Sequence, residues 1–166
     1  MIPRRPGGRA VDSGAKRTMD ESTPIGVLVV THGQLAAELV EATRTIVADP
    51  LPHFRALSVG WNDEMDRARE MVRRAIAECD HGRGVLVLTD MFGGTPTNLC
   101  LSCLAAERVE IVTGVNLPMV VKTANLQRDV AAGRTLRQLA DRVAAKGRDS
   151  VKVAGAMLEP DEREGT

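Results

Sequence analysis

Ile25-Gly-Val-Leu-Val-Val-Thr31, followed at once by His32-Gly33 and a helix-like stretch from Gln34, decides the fold. A run of Val and Leu without polar alternation is the pattern of a strand covered on both faces, as in parallel sheets. The pattern returns in Val85-Leu-Val-Leu-Thr89, which ends at Asp90 and is followed by Met91-Phe-Gly-Gly-Thr-Pro96. His32 and Asp90 therefore stand at the carboxyl tips of two separate buried strands. Catalytic and ligand-binding groups of open α/β sheets collect at such tips, because helices cover the sheet faces and leave the strand ends open.

Outward from these strands, Leu35, Leu39, Ala42 and Ile46 recur at helical spacing between Gln34 and about Ala48, and Asp49-Pro50 ends that helix. His53 to Val59 reads as a second, more polar strand suited to a sheet edge. Asn62 or Asp63 is placed to cap a helix running to about Glu78, with Met65, Ala68, Met71, Val72 and Ile76 inward. After the Gly82-Arg-Gly84 turn and the third strand, a helix follows Pro96 through about Ala106, and Val109–Thr113 is a short fourth strand. The Gly114–Pro118 turn opens a helix from Met119 to about Asp129, Gly133 breaks the chain, and a last helix spans Leu136 to Ala145. Val151–Met157 offers one more strand. Strands alternating with helices imply right-handed βαβ units. The expected fold is α/β, an open and mainly parallel sheet of order 2-1-3-4 with helices on both faces. The chain reverses its winding between the first and third strands, so topology alone makes His32 and Asp90 neighbours.

The 166 residues fit one domain with a sizeable core, expected over residues 23–158. Residues 1–22 hold Arg4, Arg5, Arg9, Lys16 and Arg17 among Pro and Gly; they lack the apolar core of a secretory signal and read as a disordered basic tail, with Met19 a candidate start. Residues 159–166 read as an acidic, flexible end. Lys plus Arg equals Asp plus Glu at 22 each, which gives no footprint for nucleic acid or anionic membranes, and 2% aromatics without Tyr supply no base-stacking surface. Apolar runs are strand-sized, too short to span a membrane. Cys79, Cys100 and Cys103 suggest no disulfide framework; Cys100-Leu-Ser-Cys103 lies in an apolar stretch without a second ligand pair, and reduced thiols suit the cytoplasm.

A histidine with a carboxylate partner is a general base, a metal ligand or a phosphoryl-accepting nucleophile. The first role needs a nucleophile, and Thr31, Thr89 and Thr95 are not in a nucleophile-elbow setting. The second needs more ligands, and His53 and His81 lie outside both motif segments. The third explains more of the surroundings. Gly33 leaves the approach to a helix start open for phosphate oxygens, and Gly93-Gly94-Thr95 forms a second loop whose amides can make an anion nest. A carboxylate on one ring nitrogen would fix the tautomer and leave the other nucleophilic. A strand-end His is also a common cap, a Gly-Gly turn is ordinary loop chemistry, and Asp90 is a natural helix cap. The residues by themselves leave these readings open.

Thr31-His-Gly33, Leu88-Thr-Asp-Met-Phe-Gly-Gly-Thr-Pro-Thr-Asn98 and Thr113-Gly-Val-Asn-Leu-Pro-Met119, in that order, resemble the IIA component of the mannose-type (mannose/fructose/sorbose) phosphotransferase system. The resemblance runs from about Pro24 to Met157. It implies a 2-1-3-4 sheet and a homodimer that exchanges a C-terminal antiparallel strand, here Val151–Met157. It places the phosphorylated histidine on His32, its partner on Asp90, and the phosphate-surrounding loop on Gly93, Gly94, Thr95 and Asn98. Leu35, Met91 and Phe92, with Asn98, form the partner-facing set, while Leu35 and Met119 have helix core as their alternative place. Such proteins accept phosphate from the phosphohistidine carrier protein and pass it to a IIB partner, with no nucleotide, metal or other cofactor. The family pattern often has Trp where Phe92 stands and Ser where Thr95 stands. No IIB domain follows in these residues, so the acceptor is expected in another chain, for sugar uptake or regulation. Two alternatives are the phosphoryl-donor subunit of a dihydroxyacetone kinase and a non-catalytic interaction module controlled by phosphorylation.

Overall fold

The computed structural model describes residues 23–60, 63–104, 108–128 and 134–155. Its elements, in chain order, are β1 (Gly26–His32), α1 (Leu35–Val47), β2 (Phe54–Val59), α2 (Met65–Cys79), β3 (Val85–Thr89), α3 (Thr95–Leu101), β4 (Val109–Thr113), α4 (Leu117–Arg128) and α5 (Leu136–Asp149). The strands form one parallel sheet in the order β2-β1-β3-β4, as the sequence leads one to expect.

Side chains alternate across the two central strands and feed separate cores. Val27, Val29, Leu86 and Leu88 meet α1, α4 and α5 on one face. Leu28, Val30, Val85 and Val87 meet α2 and α3 on the other. All eight are fully buried, which explains the unbroken Val/Leu runs. The edge strand β2 exposes Arg55 and Ala56, consistent with its polar reading.

Several local expectations need correction. The fully buried face of α1 is Ala36, Val40 and Thr43; of the expected stripe, Leu39 packs half-buried against the core, whereas Leu35 and Ile46 are exposed. Thr43 is tolerated inside because its hydroxyl donates to the Leu39 carbonyl at 2.8 Å. On α2, Ala68, Val72 and Cys79 are buried, while Met65 and Met71 are exposed. Asp63 does not cap α2; Glu64 holds the cap position, and the Asp63 carboxylate accepts the Gly60 N–H at 2.7 Å. Asn62 lies outside the described residues, as do 1–22, Asp129, Gly133 and 156–166.

Helix α3 stops at Leu101, short of the expected Ala106, and residues 105–107 are not described. Helix α5 continues to Asp149, past the expected Ala145; its start is fixed by a capping box between Thr135 and Gln138. Val151–Val153 forms no strand within the single chain, and both valines are 76% exposed. No described helix is long and apolar enough to cross a membrane.

Candidate functional site

The site grows from a mismatch between two ladders. β1 pairs with β2 as far as His32 opposite Val59, but with β3 only as far as Val30 opposite Thr89. His32 therefore leaves the sheet with its β3 side unserved by strand pairing. Asp90 fills that side: its Oδ2 accepts the His32 backbone N–H at 2.8 Å and lies 2.7 Å from His32 Nδ1. The other oxygen, Oδ1, accepts the Met91 N–H at 2.9 Å. The His32 and Asp90 side chains are 17% and 14% exposed, sheltered yet reachable from solvent.

Burial alone would raise the Asp90 carboxyl, but the hydrogen bonds from His32 and Met91 and the charge of His32 outweigh it and hold its pKa below the usual carboxylate value. An ionised carboxylate only accepts, so the shared proton resides on Nδ1. That assigns the Nδ1–H tautomer, in which Nε2 carries the ring's lone pair.

Both strand-tip threonines are fully buried braces rather than nucleophiles. Thr31 Oγ1 accepts the Ala36 N–H at 2.8 Å and so ties the start of α1 to β1. Thr89 Oγ1 lies 2.7 Å from Thr97 Oγ1 on α3. Gly33 turns the chain into α1, and its N–H donates to the Val59 carbonyl at 3.3 Å, one residue past the ladder.

The Gly93–Thr95 loop closes over the imidazole. A Cβ on Gly94 would sit 3.1 Å from His32 Cε1 and 3.0 Å from Met91 Cγ, so the absence of a side chain is what lets the loop approach the ring. Thr95 is exposed at the first position of α3. Asn98 is exposed too, but its side-chain amide donates back to the Gly93 carbonyl at 3.2 Å and braces the loop. Phe92 is 77% exposed, and Leu35 and Met91 are also exposed. Met119, by contrast, is core, packed where a Cβ on Gly147 would touch its sulfur.

Thr97 was not singled out by its sequence. It stands within the Leu88–Asn98 segment, two residues beyond Thr95, but no role attaches to it from the sequence; its value depends on the α3–β3 packing. The cysteines lie apart from the site. Burial pushes the Cys79 thiol up to about 11 and the Cys100 thiol up to about 12, and both are buried, while Cys103 is half-buried. No group of three or more His, Cys, Asp or Glu able to hold a metal ion occurs among the described residues.

With this geometry in place, the model of a protein family described as the PTS system fructose IIA component (EIIA-man) matches residues 26–143. The PTS system fructose-specific EIIA component of Bacillus subtilis (strain 168) is 27% identical over 141 residues, covering 81% of this chain and 90% of that one. The PTS system mannose-specific EIIAB component of Escherichia coli (strain K12) is 29% identical over 138 residues; the match covers 80% of this chain but only 40% of that relative's length. Among solved structures, the mannose/sorbose specific IIA subunit from Enterococcus faecalis shares the fold with a TM-score of 0.68 at 23% identity, covering 87% of this chain and all of that one. The PTS IIA protein associated with the fucose utilization operon from Streptococcus pneumoniae gives a TM-score of 0.68 at 24% identity, covering 82% and 97%.

Proposed function

The chain belongs to the EIIA-man family of phosphotransferase-system IIA components, and we propose that it carries the phosphoryl group on Nε2 of His32. IIA components of this system work with a phosphocarrier and a IIB partner. In the step proposed, Nε2 attacks the phosphorus of the donor's phosphohistidine; the new N–P bond forms as the donor's N–P bond breaks and the donor imidazole leaves. Nδ1 keeps its proton throughout. The ring becomes cationic on phosphorylation, and the Asp90 carboxylate at 2.7 Å offsets that charge while holding the ring in place. Transfer to the IIB partner reverses the roles, with Nε2 as leaving group.

The single observation that carries this reading is the Nδ1–Asp90 hydrogen bond at two adjacent strand tips, which supports Nε2 as the nucleophilic nitrogen. The Gly93–Thr95 loop beside the ring supports a phosphate-binding role for Gly93, Gly94 and Thr95. The exposed Leu35, Met91 and Phe92 support a protein-docking rim, since partner surfaces favour Met and aromatic residues. A cytoplasmic setting, where the phosphocarrier operates, fits this reading, with a IIB component as the phosphate acceptor.

The homodimer forms by strand exchange. β4 is a sheet edge, and beside it lies a groove of about 410 Å³ lined by Ile111, Val112, Thr113, Leu101, Ala140 and Phe92. Val151–Met157 of a second copy supplies the apolar strand that edge lacks, which removes an exposed ladder from both copies. The described part of that segment, 151–155, is exposed throughout.

Incubation with phosphoenolpyruvate and the general phosphotransferase proteins tests the carrier role. The wild type is expected to take up acid-labile, base-stable phosphate, and His32→Ala none; undiminished labelling of His32→Ala would overturn the assignment.

A further inference from the structure

Thr97 lies on the buried side of α3, facing β3, and is wholly inaccessible to solvent. Its hydroxyl donates to the Met91 carbonyl at 2.6 Å. A carbonyl cannot donate in return, so the single Thr97 proton is committed there, and the 2.7 Å contact with Thr89 Oγ1 must use the proton of Thr89. Thr89 and Met91 are the two residues that flank Asp90. One side chain on α3 thus grips the chain immediately before and immediately after the carboxylate that holds His32.

We propose that Thr97 is a positioning residue for phosphoryl transfer: its hydroxyl fixes both neighbours of Asp90 and, through Asp90, sets the orientation and tautomer of the His32 imidazole. The transfer part of this inference rests on the phosphohistidine reading above; the tautomer part does not. The chain of contacts is short and continuous, from Thr97 to Met91 O and Thr89 Oγ1, then through the backbone of Asp90 to the 2.7 and 2.8 Å bonds on His32. Without the hydroxyl, the Met91 carbonyl and the Thr89 hydroxyl lose a buried partner. The 90–94 loop must then shift to find other partners, and Asp90 moves with it.

Thr97→Val keeps the shape and removes the hydroxyl. Its phosphoryl-transfer rate is expected to fall about tenfold at unchanged KM for the donor protein, and Thr97→Ser to recover to within about threefold of wild type. In the Asp90→Asn background, Thr97→Val should add little further loss, because the two act in series. ¹⁵N NMR of the His32 ring at about pH 8 should show the Nδ1–H tautomer dominant in wild type and Thr97→Ser, with a rising share of Nε2–H in Thr97→Val. Wild-type transfer and tautomer ratio in Thr97→Val overturn the proposal, as does full additivity with Asp90→Asn. If Thr97→Val does not fold, Thr89→Val, which keeps the bond to Met91, tests the Thr89 half of the grip alone: a smaller loss of transfer and a smaller tautomer shift, restored in Thr89→Ser, are expected, and wild-type values overturn that half. If the wild type takes up no phosphate at all, the carrier reading fails, while the tautomer ratios still decide the role of Thr97.

Discussion

Gly94→Ala separates the site from the fold more cleanly than removing His32 or Asp90 does. Gly94 has φ −73° and ψ 163°, where alanine is comfortable, so the backbone imposes no penalty. The added methyl is the whole perturbation. At 3.1 Å from His32 Cε1 it lies about 0.4 Å inside the closest ordinary carbon–carbon contact, and it is tighter still against Met91 Cγ. Met91 is exposed and can swing away. The imidazole has less freedom, because the Asp90 carboxylate holds its neighbouring Nδ1 at 2.7 Å. Overpacking of this kind costs about 1 kcal/mol where one neighbour can yield, a fall in Tm of about 2–4 °C for a chain of this size. The effect on chemistry is larger in proportion. A shift of several tenths of an ångström in a nucleophile lowers transfer about tenfold, given the roughly hundredfold loss associated with 1 Å. Gly93→Ala is the matched control. Gly93 has φ +80° with open space around the would-be Cβ, so alanine there costs about 1–2 kcal/mol in the backbone and puts no atom against the ring. Single-turnover transfer from the phosphorylated carrier protein, thermal melts and the His32 Cε1–H resonance are read on both variants. Wild-type transfer with an unmoved Cε1–H signal in Gly94→Ala refutes the close approach of loop and ring.

Asp90→Asn should slow phosphoryl transfer roughly a hundredfold. Because the folded pKa of Asp90 is depressed, the stability it confers is full above the unfolded value of about 4 and is lost as pH falls through the lower folded value; a wild-type-minus-variant stability difference that stays constant down to about pH 2 contradicts this. Phe92→Ala should leave Tm within about 2 °C, since the ring is 77% exposed, yet raise the KM for the donor protein about tenfold; a large fall in Tm would instead mark the ring as structural. Iodoacetamide at about pH 8 should modify Cys103 in the native protein and spare Cys79 and Cys100 until denaturant is added, because burial both shields those thiols and keeps them protonated; native labelling of all three, read by mass spectrometry, removes that picture. The full chain is expected to sediment as a dimer and a chain lacking residues 150–166 as monomer or aggregate; a dimer that survives the deletion would rule out strand exchange.

The parts of this molecule that its sequence makes legible are those fixed by patterns few alternatives share. Seven-residue and five-residue runs of buried Val and Leu can only be central strands in so short a chain, and with helices between them the strand order and the meeting of His32 with Asp90 follow. The helix faces were harder. α1 carries two apolar stripes one residue apart, and in the larger one Leu35 and Ile46 are exposed while Leu39 packs only at the margin of the core. Close packing of α1 against the sheet and α4 selects small or compact residues, Ala36, Val40 and Thr43, which a count of apolar residues ranks lower. Met65 and Met71 mislead for the same reason, since hydrophobicity alone does not say which stripe touches the sheet. Thr97 was invisible because the value of a hydroxyl depends on partners brought from eight and six residues away by the β3–α3 turn.

The chemistry of the His32–Asp90 pair follows from an acceptor count. Three donors converge on the Asp90 carboxylate: the His32 N–H and Nδ1–H on Oδ2, and the Met91 N–H on Oδ1. An amide at this position has one oxygen for them and turns its own NH₂ toward whichever donor is left over. Asparagine is therefore isosteric but not equivalent, since at least one of the three donors meets another donor, at a cost of about 1–3 kcal/mol. The first of the three bonds also explains why the site lies where it does. In a sheet whose β1 outruns β3, the His32 N–H needs an acceptor that β3 does not extend far enough to supply, and a carboxylate on the next residue of β3 reaches across to serve it. Because the same oxygen then holds the ring, the rotamer of the imidazole is tied to the register of two central strands. A ring held in this way takes its orientation from the sheet and from the Asp90 segment together, and the Gly93–Thr95 loop beside it is braced by Thr97 through Met91 and by Asn98 through Gly93.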